Sequence, residues 1–322
     1  MKAVTQDMQS GGLAVADVPP PALQPGGVLV RVRRSLISLG TERAIIALAK
    51  KGPIGKAKDR PDLVRKVMNR AKQEGLWNTY QVVKNLISSP IPLGYSCAGE
   101  VMAVGRDAGE FHVGDRVACA GLNFANHAEV DYIPRNLATR IPDEVSYDSA
   151  CFVALGAIAM QGVRLAQIEL GETVVVLGLG LVGQIAAQLA RCAGANVLAF
   201  DPEPSKVKLA RRLGAHHAAT SAEELAALVN DTTDRHGADA VLVCAATKSD
   251  GPLRQAAEVS RLKGRVVIVG DVGLQVERRP FFEKELNLLK VILNFYKKRT
   301  NPSYIIPVLD EHYEAADIAK KA

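Results

Sequence analysis

The sequence predicts an α/β protein in two parts: a β-rich N-terminal domain carrying a helical insertion, then a doubly wound domain built on a parallel sheet. Three observations carry this reading. Apolar and polar residues alternate before residue 42 and again from 98 to 133, the period of a half-buried strand. Between about 43 and 89 the apolar residues recur at helical spacing. From Glu172 onward short apolar runs alternate with helical segments, the pattern of strand-helix-strand units. A chain of 322 residues has room for both cores, and 48% hydrophobic with 23% charged content is that of a folded protein rather than a disordered one.

In chain order, VLVRVRRS sets Val28, Val30 and Val32 on one face and Arg31 and Arg33 on the other. Turns at Pro19-Pro20-Pro21 and Pro25-Gly26-Gly27 precede it. The insertion, about 43–89, opens a helix after Pro61 with Leu63, Val64, Val67, Met68 and Ala71 on one face, stopped by Gly75. A second run, Tyr80, Val83, Leu86 and Ile87, ends before Pro90. The lysines and arginines from Lys50 to Lys72 read first as a solvated face and second as a surface for an anion. Strands return at 98–105 and 114–133, and a long apolar helix over about 147–168 leads onward. The domains are set at 1–148 and 149–290, with 291–322 an atypical tail in which the stretch from Asp310 forms an amphipathic helix.

The net charge of +6 suits anionic partners but does not choose among phosphate-bearing cofactors, acidic sugars, nucleic acid and membrane surfaces. No nucleic-acid-binding motif is present, so nucleic acid is not an expected partner. The five cysteines are widely spaced without a C-x-x-C pair, which predicts free thiols in a reducing compartment and no cysteine-rich zinc lobe. The N-terminus lacks the apolar core of a signal peptide and no long apolar run occurs, so the expectation is a cytoplasmic protein with no membrane partner.

The strongest chemical signal is ETVVVLGLGLVGQIAAQLARCAGANVLAFD, residues 172–201. An apolar strand, Thr173 to Leu177, runs into Gly178-x-Gly180-x-x-Gly183 and then a helix of small and apolar residues. Gly178 permits the tight turn, Gly180 lets the backbone approach a pyrophosphate, and Gly183 allows helix to pack close on strand. Leu181 and Val182 supply N–H groups at the helix start, where the dipole favours an anion. NVLAFD ends at Asp201, at the spacing of a carboxylate that binds the adenosine ribose hydroxyls and repels a 2′-phosphate. NAD is therefore expected ahead of NADP, while Lys206 and Lys208 would tolerate a phosphate. The strands AVLVCAAT and RVVIVGDVG bring Thr247, Gly270 and Asp271 to the ligand-bearing edge, as nicotinamide-side contacts or as ordinary loop residues.

SLISLGTE (35–42), PLGYSCAGEVMAVG (92–105), VGDRVA (113–118), HAEVDYIP (127–134), GLGLVG (178–183) and FFEKEL (281–286) together resemble the medium-chain dehydrogenase/reductase superfamily, the zinc-type alcohol dehydrogenase-like enzymes. That resemblance implies a GroES-like β-barrel domain joined to a Rossmann NAD(P)-binding domain, and an oxidoreductase acting on an alcohol or carbonyl. The GTE element, PDLVRKVMNRAKQEGL and PLGYSCAG are most similar to the dehydrogenase half of bacterial two-domain oxidoreductases. In those proteins a Gfo/Idh/MocA-type unit follows, and the substrate is plausibly a sugar or sugar conjugate. The tail after FFEKEL departs from the superfamily's continuation, which reads either as a compact standalone variant or as a truncated frame.

Set against the zinc pattern, Ser38 or Leu39 stands where a ligand cysteine is expected, Tyr95 where the histidine is, and Ser96 in place of its acidic neighbour. The third ligand position falls near Val153, and Cys151 reads as a buried helix thiol. No catalytic zinc is expected. The hydroxyls of Ser38, Thr41, Tyr95 and Ser96 become the candidate catalytic groups, since hydride transfer to a carbonyl needs donors for the developing negative charge. Thr41 matches the relay hydroxyl of the zinc relatives and Glu42 the acid that follows it; Tyr95 reads equally as a packed residue, and His127 first as a strand-ordering residue and second as an acid/base. The expected partner is a small-molecule substrate, with a homodimer or a Gfo/Idh/MocA-type domain as the protein partner. The rival reading is an NAD(H)-binding half-enzyme without its own turnover.

Overall fold

A computed structural model describes residues 1–7, 10–50, 90–275 and 277–291, with isolated positions at 65, 67–69, 75, 77 and 78. Most of the insertion, including its lysine-rich stretch, and the helix expected from Asp310 lie outside the described residues. The chain divides into two compact units, the first Met1–Phe152 and the second beginning at Val153.

The first unit is built on two sheets. β1 (Lys2–Gln6) is flanked antiparallel by β2 (Leu13–Asp17) and the short β4 (Ile91–Pro92). The larger sheet has the order β7 (Val130–Pro134), β3 (Gly27–Ser35), β5 (Ser96–Val104), β6 (Arg116–Ala120), β8 (Ala138–Arg140), all antiparallel. Val28 and Val30 are fully buried in β3 while Arg31 and Arg33 face solvent, as the alternation predicts. A helix follows at Leu39–Ala49. It starts before the expected insertion, so Thr41 and Glu42 lie in its first turn rather than in a loop.

The long apolar helix expected over 147–168 is instead two helices, Tyr147–Ala150 and Val153–Leu165. Ser146 caps the first by accepting from the Ser149 N–H. The Cys151 carbonyl then accepts the Ser96 hydroxyl at 2.6 Å, a bond made from β5 rather than from the next helical turn. A tertiary hydrogen bond thus interrupts a run whose composition alone reads as continuous.

The second unit carries a six-stranded parallel sheet in the order β11 (His217–Ala219), β10 (Asn196–Phe200), β9 (Thr173–Leu177), β12 (Ala238–Val243), β13 (Ser260–Ile268), β14 (Asn287–Lys290). Strand residues alternate between two apolar cores. Val174, Val176, Val197, Ala199 and Leu242 pack with the helices Val153–Leu165, Leu181–Cys192 and Pro204–Arg212. Val175, Leu177, Leu198, Val241 and Val243 pack with Ala222–Thr232 and Gly251–Val259 on the other face. Both faces are covered, which is why these strands are apolar runs rather than alternating ones. The chain order reverses between β9 and β12, so the crevice outside their carboxyl ends is a topological switch point, where doubly wound sheets take their ligands. No helix of the described residues is long and apolar enough to cross a membrane.

Candidate functional site

At the carboxyl end of β9 the chain turns through Gly178, whose φ of +91° is a left-handed conformation that an L side chain rarely adopts. A Cβ there would stand 2.6 Å from the Ala245 nitrogen. Gly183, in the first turn of the helix Leu181–Cys192, packs so near the strand that a Cβ would run into the Gly178 carbonyl oxygen. Gly180, by contrast, is exposed and has open space where a Cβ would lie. The helix that it begins carries no side-chain cap, so the N–H groups of its first turn, including those of Leu181 and Val182, are available to a ligand. A tight turn, close packing behind it and open space in front form a cradle fitted to a pyrophosphate.

Asp201 follows β10 and is 5% exposed. It accepts from the Leu179 N–H at 2.8 Å and the Glu203 N–H at 3.0 Å, and Lys206 Nζ lies 3.2 and 3.3 Å from its two oxygens. The carboxylate thereby locks the glycine turn to the β10 loop. Of these partners the half-exposed Lys206 side chain is the one that reaches solvent. Gln184 ties the turn to the Lys206 backbone as well, donating to the carbonyls of Leu179 and Lys206 at 3.3 and 3.0 Å. On the other side of the crevice Thr247 and Asp271 come together, the Thr247 N–H donating to the Asp271 carbonyl at 2.8 Å with both side chains exposed. Gly270, next to Asp271, leaves no room for a Cβ against the Ala245 carbonyl.

In the first unit, the Tyr95 hydroxyl donates to Ser38 Oγ at 2.9 Å, and both residues are buried. This brings two of the expected catalytic residues into one couple. Ser96 is completely buried and its hydroxyl proton is committed to the Cys151 carbonyl. Thr41 is exposed on the first helical turn. Two further residues, expected mainly to order the structure, lie alongside. Glu42 Oε1 accepts the Ser38 N–H at 2.8 Å, and both Glu42 oxygens lie 3.2 Å from His127 Nε2. His127 Nδ1 is 2.9 Å from Ser35 Oγ. The residues pairing across this cluster are up to 92 positions apart, so spacing could not have revealed them.

The donor chemistry here is hydroxyl, carboxylate and a single imidazole. Among the described residues no group of three or more His, Cys, Asp and Glu gathers as a metal ion requires. Cys151, the thiol nearest the expected third ligand position, is buried, and burial first and the Asp148 charge second push it up to about 11. Among the described residues, Ser38, Tyr95 and Ser96 do not supply the nitrogen, sulfur or carboxylate donors of a three-ligand catalytic zinc.

Comparison with known proteins matches both units. Residues 182–306 match the family model described as zinc-binding dehydrogenase, and residues 68–142 the alcohol dehydrogenase GroES-like domain. The chain is 28% identical to sorbitol dehydrogenase of Bacillus subtilis over 215 residues, 58% of this chain and 60% of that protein. It is 33% identical to D-guloside 3-dehydrogenase of Escherichia coli over 159 residues, 47% of this chain and 43% of that protein. These matches thus span less than two thirds of either relative. A zinc-binding dehydrogenase of Sinorhizobium meliloti, solved bound to NADP, shares the fold with a TM-score of 0.71 at 22% identity, covering 98% of this chain and 89% of that one. The zinc-binding model matches the region of the parallel sheet, and does not include positions 38 and 95.

Proposed function

The chain belongs to the medium-chain, alcohol dehydrogenase-like superfamily of dehydrogenases and reductases, and from that premise we propose that it is a zinc-independent NAD(P)-dependent oxidoreductase exchanging a hydride with an alcohol or carbonyl. The observation that carries this reading is the buried Tyr95–Ser38 hydroxyl couple, 2.9 Å apart.

Bound nicotinamide supplies or takes the hydride. The chain's own part begins with holding the cofactor: the first-turn N–H groups at Leu181, Val182 and Gly183 face the pyrophosphate, and Asp201 with Lys206 faces the adenosine ribose. The Asp201 carboxylate supports NAD over NADP, since a 2′-phosphate there would meet a buried negative charge. At the reacting carbon the Ser38 hydroxyl, whose oxygen accepts the Tyr95 proton, donates its own to the oxygen on which negative charge develops, the task of the metal elsewhere in the family. Thr41, exposed on the helical turn that follows Ser38, exchanges protons with solvent, supplying one when a carbonyl is reduced and releasing one when an alcohol is oxidised, and Ser96 keeps the Tyr95 strand in place through Cys151. A sugar or sugar conjugate is the proposed substrate, a class named by the sorbitol and D-guloside dehydrogenases.

Fluorescence titration of the purified chain with NADH and NADPH, followed by an aldehyde and keto-sugar panel, tests the reading. Saturable binding with NADH the tighter, and turnover on a panel member, are expected. Binding without turnover would favour a half-enzyme completed by a Gfo/Idh/MocA-type domain or a second subunit. A folded sample that binds neither nucleotide would refute the proposal.

A further inference from the structure

We propose that Glu42 and His127 form a positioning pair that sets the alignment of the Tyr95–Ser38 hydroxyl couple; the inference rests on the hydroxyl-based reading of that site. The two hydroxyls belong to separate segments. Ser38 precedes the helix Leu39–Ala49, and Tyr95 precedes β5. Each segment is held by one member of the pair.

Glu42 holds the Ser38 side. Its carboxylate reaches back to the Ser38 N–H at 2.8 Å, and its own N–H donates to the Ser38 carbonyl at 2.9 Å. His127 holds the Tyr95 side. Its backbone N–H donates to the Leu93 carbonyl at 2.7 Å, and its carbonyl accepts the Val4 N–H at 2.8 Å. Gly94, immediately before Tyr95, has a φ of +101° and lies against His127 so closely that a Cβ would stand 2.7 Å from its nitrogen and 3.0 Å from its Nδ1. The bond between His127 Nε2 and the Glu42 oxygens, with both side chains 8% exposed, therefore joins the two arms that carry the hydroxyls. Ser35 at the end of β3 fixes the remaining ring nitrogen and so the rotation of the imidazole. Neither member of the pair is assigned contact with substrate. Both act through Ser38 and Tyr95.

The test uses Glu42→Gln, His127→Asn and the double variant, read by kcat and KM, by NADH affinity, and by NMR of protein carrying ring-labelled tyrosine. With seven tyrosines in the chain, the Tyr95 resonance is identified by its loss in Tyr95→Phe. Each single change is expected to lower kcat about ten- to a hundredfold, the cost of displacing reacting groups by a fraction of an ångström to an ångström. NADH affinity should stay unchanged, the Tyr95 resonance should move, and the double variant should be no worse than the worse single, because the residues act as a unit. An unmoved Tyr95 resonance in folded variants overturns the proposal, whether or not kcat falls. If the native chain turns over nothing yet Tyr95 moves in both variants, the pairing stands and the oxidoreductase reading falls. Should His127→Asn fail to fold, Ser35→Ala, which frees the other ring nitrogen, carries the same readouts.

Discussion

Replacing Asp131 by asparagine should change how stability depends on pH. Asp131 lies on β7 opposite Val30 and is 3% exposed, accepting from the backbone N–H and the side-chain amide of Asn126, each at 2.8 Å. Burial raises its carboxyl from 3.8 to about 7, with the two Asn126 bonds acting in the opposite sense. Folding therefore takes up a proton between those limits. The stabilising contribution is complete below 3.8 and is lost as the pH rises through about 7. The whole interval corresponds to on the order of 4 kcal/mol, of which about 2 kcal/mol falls between about pH 5.5 and about pH 7. Asparagine removes this dependence and fits the site. Asn126 Oδ1 is buried without a hydrogen-bond partner, and a turn of that amide would let it accept from the new side chain. The neighbouring Cys97 thiol, raised by its bond to Cys119 and by burial, stays protonated throughout this range. Urea unfolding of both chains at about pH 5.5 and about pH 8, followed by circular dichroism, gives the comparison. The stability of Asp131→Asn relative to the native chain should grow by about 2 kcal/mol toward the higher pH. Parallel pH dependences, or a variant that loses ground as the pH rises, would refute the reasoning.

Gly183→Ala forces a methyl into the Gly178 carbonyl, so the helix must shift off the strand; a stability loss of about 1–3 kcal/mol in denaturant titration is expected, with NADH affinity falling about tenfold or more. Asp201→Asn removes the charge that accepts from Leu179, Glu203 and Lys206, and should weaken NADH binding about tenfold while narrowing the preference over NADPH, both read by fluorescence titration. Tyr95→Phe keeps the ring packed but removes the hydroxyl given to Ser38, and should lower kcat about a hundredfold with NADH affinity unchanged.

The second unit was largely legible in the sequence because its chemistry is local. Gly178, Gly180 and Gly183 fall within six residues, Asp201 directly follows the next strand, and helix and strand periods separate cleanly from Glu172 onward. The β3 strand was legible for the same reason, since a period of two needs only adjacent residues. The break at Cys151 was not, because it depends on a hydroxyl at Ser96, 55 positions away, in a stretch whose own composition favours a continuous helix. The early start of the helix at Leu39 had a faint signal in Ser38 and Glu42, a polar residue ahead of the first turn and an acid within it. Tyr95 and Ser38 each stand out in the sequence against the zinc pattern. That they bond to each other, and that His127 closes on Glu42 behind them, follows only from the antiparallel pairing that brings distant segments together.

Steady-state NADH oxidation before and after treatment with a zinc chelator, with bound zinc quantified in the same samples, bears most directly on the claim that hydroxyls replace the metal. The account predicts turnover at zinc far below stoichiometric, unchanged by chelation and strongly reduced in Tyr95→Phe. Activity that disappears with the chelator and returns with added zinc would contradict it.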